Sequence, residues 1–337
     1  MKFSIGIPTC MEGLMYPVPF MKLEQILRTA QRAEELGYHS VWGNDHLTTQ
    51  SYVRDEYDQQ PRYWEPLMIL AAIAQATTTL RLGTGVLVPA MRQDIVVLAK
   101  QIATLDHLSK GRFMLGVGIG AYREEFEALR PGAKVNRAAM LEEALTCLRQ
   151  LFTGETVSWQ GNYYNYKNVT AYPKPLQDPL PIYVGGNNPN SLARTAKFGQ
   201  AWLGAGMPVW QMKDAIQHLK VELEANGRTL DDIEIAPQFC VCIDSTYEKA
   251  VARYQRSQMY RHLVSLSGTS LKDQVGQGVP FEEIDLIGTA ESISERIRQY
   301  RDIGVSHVCG SLLVADSAAE YTDQMERFAA EVLPNFA

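Results

Sequence analysis

The sequence predicts an α/β barrel, with eight parallel strands each followed by a helix and closed into a ring. Three observations lead there. Eight short apolar runs of strand character recur along 337 residues, mostly separated by segments with apolar residues at helical spacing. No G-x-G-x-x-G fingerprint follows the first run, which argues against an open dinucleotide-binding sheet. The length is also ordinary for a single barrel of this kind. Residues 1–337 therefore read as one domain with two excursions, at about 154–181 and about 244–288.

Taken in order, Phe3 to Pro8 is the first strand. Leu23, Ile26, Leu27, Ala30, Ala33 and Leu36 keep helical spacing across Met21 to Leu36, and Gly37 supplies a stop. The strand S-V-W-G-N-D-H ends in Asp45 and His46, Leu47 to Trp64 reads as a long loop, and Pro66 opens an apolar helix over Leu67 to Ala76. Leu80 to Gly120 then reads as strand, helix and strand, with Lys110-Gly111 ending the helix. Amphipathic helices are expected over Tyr122 to Leu129 and Arg137 to Phe152.

V-S-W-Q-G-N-Y-Y-N-Y alternates around Gly161-Asn162, a hairpin signal. Further strands are expected at Pro181 to Gly186, Ala201 to Gly206, Ile233 to Ile243 and Val305 to Val314. Helices fill the intervals at Leu192 to Phe198, Val209 to Asn226, Tyr247 to Leu266, Thr289 to Ile303 and Ala318 to Leu333. A glycine-rich stretch around Gly268, Gly276 and Gly278 follows the third of these.

A net charge of −6 leaves no basic footprint for nucleic acid. No apolar run has the length of a membrane span, and M-K-F-S-I-G-I-P-T-C enters a strand without a cleavable signal pattern. The five cysteines are scattered, and Cys240 and Cys242 face one side of a strand as small core residues. A reduced, cytoplasmic protein is the expectation.

In such a barrel the chemistry sits where the strands end. Those ends lack carboxylate clusters and a G-x-S-x-G elbow, but they are rich in glycine, as a flat ligand requires. The two strands of Leu80 to Gly120 end in Gly83 and Gly85, and in Gly116, Gly118 and Gly120, a surface suited to a flavin-type ring. His46 is placed to donate to a ligand or move a proton, against the alternative that it merely packs. Asp45 either joins it or caps the following turn. Y-V-G-G-N-N-P-N-S-L-A-R reads either as a phosphate cradle at a helix N-terminus or as a helix with Ser191 as plain N-cap. Arg92, Arg123 and Arg194 read as solvated surface residues. Trp159, Tyr163, Tyr164 and Tyr166 form either a lid or a hairpin packed on the barrel.

Several segments together resemble the luciferase-like monooxygenase family of flavin- and deazaflavin-dependent oxidoreductases. They are A-E-E-L-G-Y-H-S-V-W-G-N-D-H, L-G-T-G-V-L-V-P, L-A-K-Q-I-A-T-L-D-H-L-S-K-G-R-F-M-L-G-V-G-I-G, E-E-F-E-A-L, P-I-Y-V-G-G and G-T-A-E-S-I-S-E-R-I. The resemblance implies a TIM barrel with an excursion between strands seven and eight, matched by Asp244 to Gly288. It implies a non-prolyl cis peptide at Gly85-Val86 under the ring, with Gly118, Ile119 and Gly120 beside it. The phosphate would lie by Gly185, Gly186, Asn187 and Ser191, and His46 with Asp45 would serve the chemistry.

One departure stands out. Where several deazaflavin-dependent dehydrogenases carry an acidic glutamate, this chain has Ala121, and Glu124 is no simple substitute. The resemblance implies hydride exchange between coenzyme F420 and a small organic substrate. The alternatives are oxygen activation by reduced FMN supplied by a separate flavin reductase, and a flavin-binding barrel without turnover. Met11 to Pro19, Leu47 to Trp64 and Asp244 to Gly288 would wall the substrate, and their Met and Tyr content suits an apolar or aromatic one. A homodimer is the family expectation.

Overall fold

A computed structural model describes residues 1–266 and 278–336. Its strands are β1 (Lys2–Ile7), β2 (Ser40–Gly43), β3 (Arg81–Thr84), β4 (Phe113–Val117), β5 (Val157–Gln160) and β6 (Asn165–Val169). They continue with β7 (Ile182–Gly185), β8 (Ala201–Leu203), β9 (Glu234–Ile235), β10 (Cys240–Ile243), β11 (Leu286–Gly288) and β12 (His307–Leu313). The main sheet runs β11-β10-β12-β1-β2-β3-β4-β7-β8-β9, every pair parallel.

Its closure depends on β9 and β10. The expected strand from Ile233 to Ile243 is divided around Pro237, which has no N–H to give to a ladder. β9 pairs with β8, and Ala236 and Gln238 still donate to the carbonyls of Trp202 and Gly204. β10 then pairs with β12 through Cys240 opposite Leu312. The two pieces are one bent seventh staple, and the ring closes through them as a (β/α)8 barrel.

Helices cover the outside, and local chemistry sets their ends. Asp94 caps the helix Ile95–Leu108 by accepting from Val96 and Val97 N–H, and Thr289 begins Ala290–Asp302 with a capping box. Gly37, at φ 81°, ends the helix Leu23–Glu35 in a conformation that costs glycine little.

The barrel interior is filled by Trp42, Met114, Tyr183, Leu203 and Cys309, with Val86 packed above. Trp42 explains one strand glycine and the Thr84 carbonyl another. A Cβ on Gly83 would lie 2.3 Å from the indole, and one on Gly116 would lie 1.8 Å from the Thr84 carbonyl oxygen. The flat group against Gly83 is thus the protein's own indole, which corrects the expectation of a ligand there.

Several expected elements differ in detail. The supposed loop from Leu47 to Trp64 contains a short helix, Ser51–Glu56. The helix expected over Tyr247 to Leu266 is broken at Ser257 into Tyr247–Arg256 and Gln258–Leu266. β11, at the end of the supposed glycine-rich excursion, extends the sheet beyond β10. Gly268 and Gly276 lie outside the described residues.

β5 and β6 form the expected hairpin, a separate two-stranded antiparallel sheet. It is fastened to the helix Arg137–Thr153 by Glu143, whose carboxylate accepts from the N–H groups of Asn162, Tyr163 and Tyr164 and from Trp159 Nε1. The aromatic run therefore packs on the barrel. Tyr164 is buried, with its hydroxyl over the Pro89 carbonyl.

Candidate active site

Two compartments open at the C-terminal ends of the strands and meet at Gly85, Val86, Gly120 and Ala121. Their combined floor is the turn after β3. The Gly85–Val86 peptide is cis and non-prolyl, as expected. A Cβ on Gly118 would come 2.6 Å from Val86 Cγ2, and one on Gly185 would come 3.0 Å from Val86 Cγ1. Glycine at these two positions is what lets Val86 stand in the middle of the face.

His46 follows β2 and lines the first compartment. Its Nδ1 lies 3.0 Å from Oε2 of Glu125, a side chain only 1% exposed. An ionised carboxylate only accepts, so in the neutral imidazole this contact puts the proton on Nδ1 and the lone pair on Nε2. Gln50 Nε2 lies 3.3 Å from the same Nδ1, a longer contact that a protonated nitrogen does not accept. Among the described residues the hydrogen bonds of this imidazole are both at Nδ1. The imidazole is thus held from behind and open in front.

Asp45 is buried and has both oxygens engaged. Oδ1 takes Arg92 Nη2 at 2.6 Å, and Oδ2 takes the Val88 N–H at 3.1 Å. It fixes the loop beyond Gly85–Val86 and caps no turn of its own. Arg92 also reaches Glu65 at 3.0 Å. Its side chain is 14% exposed, which corrects the solvated reading. Arg194, 3% exposed, needs the same correction, whereas Arg123 is exposed as expected.

Tyr122 and His262 also line the first compartment, the Tyr122 ring 5.6 Å from that of His46. His262 Nδ1 is 3.1 Å from the Tyr52 hydroxyl, and Nε2 is 3.4 Å from that of Tyr122. Burial, helped by nearby His46, pushes His262 down to about 4, so it is neutral near pH 7. Burial likewise raises both tyrosines, so their hydroxyls stay protonated.

The second compartment is lined by Gly118 to Ala121, Gly185 to Asn188, Ser191, Arg137 and Arg194. The helix Pro189–Phe198 starts here, but its N-cap is Asn188, whose side chain accepts from the Ser191 N–H. Ser191 lies inside the first turn, and its hydroxyl donates to the Asn188 carbonyl at 2.7 Å. This corrects the reading of Ser191 as the cap itself. Arg194 Nε is buried without a hydrogen bond, 3.5 Å from Glu142. A buried guanidinium donor beside a helix N-terminus suits an anionic group.

All the residues expected from the sequence line these two compartments: Asp45 and His46 the first, Gly118, Ile119, Gly185, Gly186, Asn187 and Ser191 the second, and Gly85, Val86 and Gly120 both. The sequence reading missed Glu125, His262 and Arg137. Glu125 had a signal: it begins E-F-E-A-L in the first turn of Arg123–Leu129, four residues beyond Ala121. Glu124 instead accepts from the Ser51 N–H. His262 had none, because only the fold brings its helix over the site.

Residues 1–307 match the family model described as luciferase-like monooxygenase. The chain belongs to that family. An F420-dependent glucose-6-phosphate dehydrogenase of Amycolatopsis mediterranei is 28% identical over 299 residues, covering 84% of this chain and 86% of the relative. The monooxygenase RslO1 from Streptomyces bottropensis matches with a TM-score of 0.77 at 24% identity, over 100% of both chains. An F420-dependent secondary alcohol dehydrogenase, solved with an F420-acetone adduct, matches with a TM-score of 0.79 at 20% identity, over 100% of this chain and 99% of that one. The two structural matches show the luciferase-like barrel. Family membership makes the chain an oxidoreductase of flavin-type chemistry, and among the described residues no helix is long and apolar enough to cross a membrane.

Proposed function

We propose that the chain transfers hydride between coenzyme F420 and a small organic substrate held in the first compartment. The observation that carries this is His46, backed by buried Glu125 and presenting a free Nε2 beside the Gly85–Val86 floor. The second compartment fits the cofactor: glycines leave room beside Val86, and buried Arg194, held 3.5 Å from Glu142, adds a guanidinium to the lining. Gly85, Val86, Gly118, Ile119 and Gly120 would border the ring, while Gly185, Gly186, Asn187, Ser191 and Arg194 would hold the phosphate. The bound deazaflavin supplies a carbon that accepts or releases hydride. His46 Nε2 takes the proton of a substrate hydroxyl, and Glu125 stabilises the imidazolium that results. Asp45 positions the floor through Val88 and Arg92.

Binding separates this reading from an FMN-dependent monooxygenase working with a flavin reductase. Apo-protein is titrated with F420 and with FMN, and oxygen uptake is followed with reduced FMN. F420 binding without oxygen uptake is expected. Tight FMN binding with oxygen uptake and no affinity for F420 overturns the proposal. His46→Ala should keep the circular dichroism spectrum and lose about 10²–10⁴-fold in turnover, the usual worth of a general base.

The chain is further proposed to act as one domain in the cytoplasm, which its five free, buried cysteines suit. A homodimer is supported by two packed, apolar helices, Pro66–Ala76 and Ile95–Leu108, that leave Met68 69% and Val97 51% exposed.

A further inference from the structure

We infer that the first compartment takes an uncharged alcohol, or its carbonyl partner, carried on an apolar body, and turns away phosphate esters. This rests on the hydride-transfer reading and adds the charge and polarity of the substrate to it.

Charge is distributed unequally between the compartments. The second has two guanidinium groups, Arg137 and Arg194. The first has no lysine or arginine among its described lining residues, and its walls are largely Met11, Leu14, Met15, Val86, Val88 and Leu266. Two buried carboxylates, Asp45 and Glu125, stand in the same wall. The nearby cations are already engaged outside the lining: Arg92 with Asp45 and Glu65, and Arg62 with Glu12. His262 is neutral and the Tyr52 and Tyr122 hydroxyls are protonated.

A phosphate ester entering this space would lose its hydration, find no unpaired cation among the described lining residues and meet the buried Glu125 carboxylate, while Asp45 is already neutralised by Arg92. An alcohol meets no such barrier. Its O–H donates to His46 Nε2, whose lone pair is the one open acceptor that the Glu125 contact leaves on the imidazole. In oxidation the carbinol hydrogen leaves with its electron pair for the oxidised deazaflavin. The hydroxyl proton passes to Nε2, and the C–O bond becomes C=O. Reduction of the carbonyl runs the same exchange backwards.

The test begins by titrating F420 into the 337-residue protein and following its fluorescence, so that failure of the cofactor reading shows by itself. The holoprotein, with inorganic phosphate added to fill other anion sites, is then titrated calorimetrically with 1-phenylethanol and with glucose 6-phosphate. Both compounds are also assayed for reduction of F420. The alcohol is expected to bind about tenfold tighter or better and to reduce the cofactor, and the ester is not. Equal or tighter binding of the ester, or no binding of the alcohol, overturns the inference and leaves the cofactor result standing. Met15→Arg, which adds a cation to the wall, should shift the ratio toward the ester by about tenfold. An unchanged ratio overturns the charge argument. If F420 does not bind, the same titrations of apo-protein decide the charge preference by the same criteria.

Discussion

Glu125 gives His46 its direction. Without the carboxylate 3.0 Å from Nδ1, Gln50 Nε2 would be the remaining neighbour of that nitrogen, and a donor there turns the lone pair away from the site. Glu125→Gln is therefore expected to reduce turnover by about tenfold or more while leaving F420 affinity unchanged, because the carboxylate acts through the imidazole. The measurement is a kcat comparison beside a fluorescence titration. A loss of cofactor affinity equal to the loss of turnover would assign Glu125 to the cofactor instead. The position matching the missing glutamate, Ala121, lies four residues earlier, just before the helix that carries Glu125, so carboxylate chemistry is displaced along the chain. In the sequence E-E offered two candidates, and only the fold distinguishes buried Glu125 from Glu124, which accepts from the Ser51 N–H.

At the scale of elements, one clasp lends itself to a stability test. Glu143 alone satisfies three backbone donors and an indole N–H at the tip of the β5–β6 hairpin. Glu143→Ala should cost about 1.5–3 kcal/mol, as hydrogen bonds to charged groups do, read from urea unfolding. The hairpin was legible from its alternation and Gly161-Asn162. Its anchor was not, because the glutamate sits on a helix that looks like any other amphipathic one. The division of β9 from β10 has a similar origin: an apolar run reads as one strand, while Pro237 interrupts its ladder only when neighbours exist on both sides.

The whole molecule carries a pH signature. Burial, the largest influence in each case, lowers His39 to about 3 and His262 to about 4, from an ordinary 6.5. Above pH 6.5 these groups are neutral in both folded and unfolded chains and contribute nothing. As pH falls from 6.5 toward about 4, the unfolded chain gains their protons and the folded one resists, so stability declines. Glu234 and Glu34 behave oppositely to burial: hydrogen bonds, joined at Glu234 by the nearby charges of His307 and Lys2, outweigh it and hold both near 2, below the ordinary 4.5, so their stabilisation persists above 4.5 and disappears as pH falls toward 2. Thermal midpoints should thus begin to fall below pH 6.5, before the carboxylates titrate, and His262→Gln should flatten that first decline. An identical pH profile in the variant would remove His262 as a contributor. Assembly belongs to this scale as well. Met68→Glu combined with Val97→Glu is expected to convert a dimer to monomer in light scattering, and a wild-type chain that already runs as a monomer would overturn the dimer.

By itself the sequence determined the barrel, the glycine-ended strands and His46. Those features are written in short-range patterns: period, punctuation, and a polar residue at the end of an apolar run. The tertiary structure decided what those residues face. It set Trp42 against Gly83, gave Asp45 to Arg92 and Val88, and brought Glu125 and His262 into the lining of one cavity. The physical reason is distance along the chain. His46 and Glu125 are 79 positions apart, and Tyr52 and His262 are 210 apart. Leu80 to Gly120 remains the part that pattern alone explains best, and its two ends, Gly85–Val86 and Gly118 to Gly120, meet only because the barrel closes.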